Sequence, residues 1–558
     1  MTAGIVRPAM LPNSASSTDE WLASSLLACL RYNCPNKIGT IQIPRLCNSA
    51  RLARMNTATI TAFTAALILT LNCGVAGAGE RPDVLLIVID DLRPMLGCYG
   101  DPHVKTPHID RLAQRSVVFD RAYCQYAKCG TSRLSLMTGL RPDSIGVFSN
   151  RDKDVDNFRN RRPAAAPLGK WLEQHGYFTQ SFGKIDHDGW DVATDWSVPA
   201  SPGRAQEMLE IADPADPTQP TLIADRIACP AIQSPDVPDE HLFAGRMTRQ
   251  VLKTMKERDA DQPIFLAVGY RRPHLPLVAP KRYFDLYQPD DSWLAKNPAP
   301  AEGSPVLAWF NSDGYVGTAR KIGLTMPSPP NHKQAVDWNG YELRSYLGVP
   351  NHGTIDQRLQ LEILQAYAAC VSYVDTQVGR LLTELKTSGR LQNTVVILCS
   401  DHGWHLGEQS AWGKMTNFEI ATRVPLLIAA PNIQPARTRS FAELVDLYPT
   451  ICELTGMPAP PHLEGESLLP TLREPQKMMQ QIALSQYARQ STKYMGRAIR
   501  TDRFRFVRWE ETKGGEIVSR ELYDHETDPL ETTNRAEHVE YSNHVMRLEG
   551  LLQHSFRK

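Results

Sequence analysis

The chain is built from two alternating hydrophobic patterns. Unbroken apolar runs occur at "DVLLIVIDD" (83–91), "QPIFLAVGY" (262–270), "NTVVILCSDHG" (393–403) and "VPLLIAAP" (424–431). Such runs, without polar alternation, suit strands buried on both faces, as in a parallel sheet covered by helices. Between them lie segments with apolar residues at helical spacing. The longest, "LQLEILQAYAACVSYVDTQVGRLLTELKTSG" (359–389), ends on a glycine stop. "APLGKWLEQHGYFTQSFGK" (166–184) predicts helix, glycine stop and strand in turn, and "VVFDRAYC" (117–124) a further strand and loop. Strands alternating with helices predict an α/β sheet with right-handed crossovers.

The pattern changes in three places. Residues 199–240 are rich in Pro and Asp, and residues 289–355 in Pro, Gly and Asn; both read as insertions. The second holds Trp293, Trp309, Tyr315, Trp338 and Tyr341, which serve either as a sugar platform or as ordinary packing. From about residue 471 the alternation stops. "YMGRAIRTDRFRFVRWEE" and "SRELYDHETDP" predict short antiparallel strands, hence a smaller C-terminal domain over 471–558.

The N-terminal region follows neither pattern. Residues 1–54 have no sustained period and are expected to be unstructured, or to precede the true start. Residues 55–78 carry a short apolar run and then Ala76-Gly77-Ala78, as in a signal peptide with its cleavage site. Arg51 and Arg54 would supply the positive flank. The run is too short for a stable membrane span. An exported protein, periplasmic or secreted, is expected.

Lys+Arg and Asp+Glu both total 61 in 558 residues, so there is no net charge. That excludes a nucleic-acid scaffold and means any anionic substrate is held by local charge. Of 11 cysteines, none forms a zinc-type spacing. Four precede the expected cleavage.

Candidate chemistry collects at strand ends, where α/β sheets bind ligands. Asp90, Asp91, Asp401 and His402 all close apolar runs. Three carboxylates that close repel unless a cation lies among them. Oxygen donors favour Ca²⁺ or Mg²⁺, although imidazole suits softer metals. Lys184 and His187 follow one strand, His274 another, and Lys414 a loop beyond the Asp-His pair. Each alone reads as a solvated residue. Converging in one crevice, they suit sulfate or phosphate. Cys129 lies four residues before Arg133 in "CGTSRLSLMTG", at the start of a predicted helix.

These tokens, in this order, resemble the formylglycine-dependent sulfatases of the alkaline-phosphatase-like superfamily. The match spans roughly residues 81–530 and includes "CGTSRLSLMTGLRPD", "FGKIDHDG", "AYAACVSYVDTQVGRLL" and "SDHGWHLGEQSAWGKMTNFEIATRVPLL". Asp-His, where arylsulfatases usually carry Asp-Asn, is similar to the iduronate-2-sulfatase branch. The resemblance implies a large mixed, mostly parallel sheet flanked by helices in a catalytic domain over 80–470, with a smaller C-terminal α+β domain. It implies that Cys129 is oxidised by a formylglycine-generating enzyme to an aldehyde, whose hydrate supplies two hydroxyls. One attacks sulfur, and the other releases sulfate afterwards. It implies one divalent cation, Ca²⁺ or alternatively Mg²⁺, on Asp90, Asp91, the modified Cys129, Asp401 and His402. Arg133 would hold the diol. Lys184, His187, His274 and Lys414 would bind sulfate and protonate the leaving oxygen.

The substrate so implied is a sulfated sugar or oligosaccharide, with Arg271 and Arg272 as candidates for a uronate carboxylate. One departure falls at Thr131, where the family pattern Cys-x-Pro-Ser-Arg has proline, a residue the modifying enzyme reads. Two other readings share these residues. One is a phosphodiester or phosphonate monoester hydrolase of the same superfamily. The other is an inactive sulfated-glycan binder with Cys129 left as a thiol.

Overall fold

In the computed structural model, the described residues are 81–200, 229–259, 261–328 and 330–556, with short strands at Ala212–Asp213 and Asp216–Pro220. The expected N-terminal extension (1–54) and signal peptide (55–78) lie outside the described residues, as does much of the 199–240 insertion.

The apolar runs form the centre of an eight-stranded sheet. In chain order its strands are β1 (Asp83–Ile89), β2 (Val117–Tyr123), β3 (Phe178–Gly183), β4 (Ile264–Tyr270), β5 (Thr394–Ser400), β6 (Arg423–Val424), β7 (Leu426–Ala429) and β8 (Ala436–Glu443). They lie in the order β6-β2-β7-β5-β1-β4-β3, with β8 also paired to β2. Pairs β1–β4, β1–β5 and β3–β4 are parallel. The run at 424–431 instead contributes an antiparallel strand, β7, between β5 and β2. An apolar run reports burial on both faces and is silent on direction, and the connection over 401–425 is long enough for either direction.

Every residue of β1, β4 and β5 is buried. Along β1, Leu85, Ile87 and Ile89 enter one core, and Val84, Leu86 and Val88 the other. The first core holds the long helix Gln357–Thr387, expected from its spacing, and the helix Phe243–Glu257. Asp83, at the start of β1, is also buried. Arg258 Nη1 at 2.6 Å and Arg390 Nε at 2.7 Å neutralise it, so this acid marks no site.

A second sheet holds four antiparallel strands, β9 (Ala483–Arg489), β10 (Tyr494–Arg500), β11 (Phe504–Glu511) and β12 (Ile517–Asp524). Trp309 and Tyr341 of the 289–355 insertion pack with Val507, Trp509 and Tyr523 of this sheet. Both insertion aromatics are fully buried, so packing is their role. Among the described residues no helix is long and apolar enough to cross a membrane.

Candidate active site

Register brings the strand ends together. Ile89 pairs with both Tyr270 and Ser400, and Gly183 with Gly269. The residues following β1, β3, β4 and β5 therefore emerge along one edge. β3 and β4 approach so closely there that a Cβ on Gly269 would lie 2.0 Å from the Lys184 carbonyl oxygen, so only glycine fits.

Strand alternation alone would send Asp90 and Asp91 to opposite faces. The chain leaves β1 with Asp91 at φ +61°, a left-handed conformation that aspartate tolerates better than most side chains. The turn is pinned by Leu92 N–H donating to Ser400 Oγ at 3.0 Å and by Tyr367 O–H donating to the Asp91 carbonyl at 2.8 Å. Both carboxylates are then fully buried at the sheet edge.

Cys129 begins the helix α1 (Cys129–Thr138), all ten residues of which are buried. Lys128, extended, is its N-cap and supplies no side-chain cap, and Gly139 closes it in the left-handed region. The first N–H groups of such a helix lack internal acceptors and favour an anion. Arg133, one turn on, is 1% exposed. Its Nε donates to Asp401 Oδ2 at 2.8 Å, its Nη2 lies 3.4 Å from Asp90 Oδ1, and its Nη1 donates to the Lys184 carbonyl. Spacing of four residues thus places the cysteine and its arginine on one helix face. Thr131 Oγ1 donates to the Val147 carbonyl at 2.9 Å, so the hydroxyl of the residue replacing proline has a partner inside the folded site.

The expected ligands converge. One donor atom each from Asp90, Cys129, Asp401 and His402 lie within 4.8 Å of one another, and so do donors from Asp91, Cys129 and His274. His402 Nδ1 faces the Gly403 carbonyl at 3.0 Å, which assigns the proton to Nδ1 and leaves the Nε2 lone pair toward Cys129 Sγ at 3.3 Å. Asp91 joins through His402 Nε2 at 3.5 Å.

The expected cations are there too. Lys184 pairs with Asp90, and Lys414 Nζ lies 2.8 Å from Asp91 Oδ1. His274 Nδ1 meets the Leu275 carbonyl at 2.7 Å, leaving Nε2 4.0 Å from Asp91 Oδ2. His187 stands at the edge of this group. Its ring packs on Trp190 at 5.0 Å, and its Nδ1 is buried without a hydrogen-bond partner. Burial and then Lys184 push its pKa down to about 3.

Arg271 and Arg272 part company. Arg271 pairs with Asp188 and acts electrostatically on Lys184, His187 and His274. Arg272 is 2% exposed, donates to the His274 carbonyl at 2.9 Å and lies toward Cys229. The Pro-stiffened loop sends adjacent side chains apart, which the sequence did not reveal.

Comparison with known proteins agrees with this geometry. The family model described as Sulfatase matches residues 82–457. The chain belongs to the sulfatase family. A second model, N-sulphoglucosamine sulphohydrolase, C-terminal, matches residues 407–558 of this sulfatase-family chain. Iduronate 2-sulfatase of Mus musculus is 31% identical over 82% of the chain and 91% of its own length. That of Homo sapiens is 31% identical over 81% and 90%. Among solved structures, the phosphonate monoester hydrolase of Agrobacterium radiobacter superposes with a TM-score of 0.63 at 22% identity, covering 86% of this chain and 96% of that one.

The donor set of this sulfatase-family site fits a divalent cation. Asp90 Oδ1 is buried and accepts no hydrogen bond. Burial would raise the Asp90 carboxyl, but Lys184 and Arg133 outweigh it and hold its pKa well below the usual range. Asp91 goes the other way. Burial is the main cause, and although Lys414 opposes it, Asp90 and Cys129 add to the rise. Arg133, Lys184 and Lys414 balance the three buried acids, and the donor atoms that remain turned toward Cys129, the unpartnered Asp90 Oδ1 among them, are the kind a divalent cation takes.

Several site residues were not among the sequence candidates. Glu342, on the insertion turn Tyr341–Arg344, lies 3.5 Å from Lys414 Nζ and 3.7 Å from His274 Nε2. No strand end or motif marks it. Trp404 lies under the Lys414 ammonium, 4.9 Å from ring centroid to Nζ. Lys128 sits directly before Cys129, where adjacency was the available signal. None of the seven cysteines among the described residues is in a disulfide.

Proposed function

We propose that the protein is an exported sulfatase that releases sulfate from a sulfated sugar, with iduronate-2-sulfatase-like chemistry at Cys129. The observation that carries this reading is the position of Cys129. It starts a buried helix, 3.3 Å from His402 Nε2, inside a ring of acids and two buried lysines. The thiol itself is a poor nucleophile there, because burial and then Asp90 push its pKa up to about 11. An aldehyde hydrate at the same position offers one hydroxyl to attack and a second to release sulfate.

Asp90, Asp91, Asp401, His402 and residue 129 would hold the cation, Ca²⁺ or Mg²⁺. Its chemistry is to polarise a sulfate oxygen and acidify the attacking hydroxyl. Arg133 orients residue 129 from one helical turn away. Lys184 and Lys414 bring two ammonium groups to the anion, and the α1 N-terminus adds its N–H groups. His274 and His187, on two other loops, are the candidates for handing a proton to the leaving oxygen; burial and the neighbouring lysines keep both neutral, so the charge of the bound sulfate must first raise their proton affinity. Modification requires a formylglycine-generating enzyme as maturation partner. The division into a catalytic domain (80–470) and a C-terminal domain (471–558) belongs to this reading.

The test is mass spectrometry of the Cys129 peptide from protein that releases sulfate from 4-nitrophenyl sulfate. The peptide should be lighter by the difference between thiol and aldehyde. Activity with Cys129 wholly unmodified overturns the mechanism. Hydrolysis of a phosphonate monoester and of no sulfate ester would favour the superfamily alternative.

A further inference from the structure

Lys128 precedes Cys129, yet neither the ligand set nor the sulfate-binding group uses it. Its backbone is extended (φ −156°, ψ 132°), and its carbonyl accepts the first hydrogen bond of α1, from Ser132 N–H at 3.0 Å. This fixes the root of the side chain one residue from Cys129. The residue is half-buried. Among the described residues its ammonium forms neither an ion pair nor a hydrogen bond.

Asp313 and Glu342 are the acids that act on this ammonium, and Lys414 is the neighbouring cation. Both acids are engaged elsewhere. Asp313 accepts from Gln490 N–H at 2.8 Å and lies 4.0 Å from Arg489 Nη1. Glu342 faces Lys414 and His274. Lys128, at the N-cap of α1, therefore lies near the Asp313 and Glu342 turns of the insertion, and both acids are already paired. A half-buried ammonium without a counter-ion is costly to keep, and an anion arriving with the substrate would offset that cost.

We propose that Lys128 binds a second anionic group, a carboxylate or a second sulfate, on the sugar whose sulfate ester is cleaved at Cys129. The proposal rests on the sulfatase reading above. It assigns this role to Lys128 in place of Arg271 and Arg272, which are held by Asp188 and by the His274 carbonyl. Lysine is a compact point charge, so it suits either anion without the planar match that arginine imposes.

The experiment compares wild-type full-length protein with Lys128→Ala and Lys128→Arg on four substrates. These are a 2-O-sulfated uronate disaccharide, a disulfated glucosamine, a monosulfated N-acetylglucosamine and 4-nitrophenyl sulfate. Lys128→Ala should lower kcat/KM on a doubly anionic substrate by roughly 10- to 100-fold, mainly through KM, and by far less on the two singly anionic ones. Lys128→Arg should recover most of the loss. A selective loss on the uronate assigns the carboxylate, and on the disulfate the second sulfate. Equal losses on all substrates, or none on either doubly anionic one, overturn the proposal. A wild type that hydrolyses 4-nitrophenyl sulfate with no preference for a second anion overturns it and leaves the sulfatase reading standing. A wild type carrying formylglycine that releases sulfate from nothing overturns both.

Discussion

Asp401 and Arg133 form a buried ion pair, Oδ2 to Nε at 2.8 Å, that joins the end of β5 to the helix bearing Cys129. Both side chains are at most 1% exposed. Ser132 Oγ adds a second link, donating to the Asp401 carbonyl at 2.5 Å. The acid that lies in the candidate metal site thus also positions the helix bearing Cys129.

Asp401→Ala should therefore fail in two ways. It removes a charged ligand, so metal content measured on purified protein should fall together with activity. It also removes the nearer of the two carboxylates that face buried Arg133 and leaves Asp90 as the other, at a cost of at most about 3–5 kcal/mol in unfolding free energy. His402→Asn removes no charge and should be milder in both measurements. Full activity in metal-free protein would defeat the metal assignment.

Thr131→Pro separates the folded site from the modification step. Thr131 lies in the first turn of α1, where the backbone N–H has no helical acceptor and proline is tolerated. The change loses only the Thr131 Oγ1 bond to the Val147 carbonyl, so stability should drop by about 1 kcal/mol. If Thr131 limits recognition by the modifying enzyme, the fraction of Cys129 converted should rise on co-expression. An unchanged fraction would show that this enzyme tolerates threonine.

Gly269→Ala tests how closely the site depends on the strand ends. The new Cβ would meet the Lys184 carbonyl at 2.0 Å, and that carbonyl accepts from Arg133. Backbone must shift on both sides, so activity should be lost and the protein destabilised by at least about 1–3 kcal/mol. Wild-type kinetics in this variant would mean that β3 and β4 do not hold Lys184 in place.

Away from the site, Asp375 should give the fold a pH-dependent weakness. Its Oδ1 accepts from Ile109 N–H at 2.7 Å and His108 N–H at 3.1 Å, at the first turn of the helix Pro107–Ala113. Burial outweighs these bonds and pushes its pKa up to about 7. An acid raised on folding contributes stability that is complete below its unfolded value, near 4, and is lost as pH rises through 7. Asp375→Asn removes that loss. Urea unfolding at pH 4, 5.5 and 7.5 should show the variant gaining on wild type as pH rises, by no more than about 4 kcal/mol. Parallel curves would mean that Asp375 is ionised in the folded state throughout.

The sequence by itself determined the central layer and the ingredients of the site. β1, β4 and β5 were legible because strands buried on both faces must be apolar throughout, and the 31-residue helix Gln357–Thr387 because its buried stripe recurs at helical spacing. Asp90, Asp91, Asp401 and His402 were legible because a parallel sheet exposes its chemistry where apolar runs stop. Only the tertiary structure decided the rest. The direction of β7, antiparallel to both β5 and β2, is set by its pairing, which hydrophobicity does not encode. The left-handed turn at Asp91, which turns both aspartates to one side, is held by Ser400 and Tyr367 from distant segments. Arg271 and Arg272, identical neighbours in sequence, part because one meets Asp188 and the other a carbonyl. Glu342 reaches the site because the insertion packs its buried aromatics on the second sheet. Periodicity records which side of an element is buried. Contacts between residues hundreds of positions apart leave no period, and they fix how the buried charges are shared.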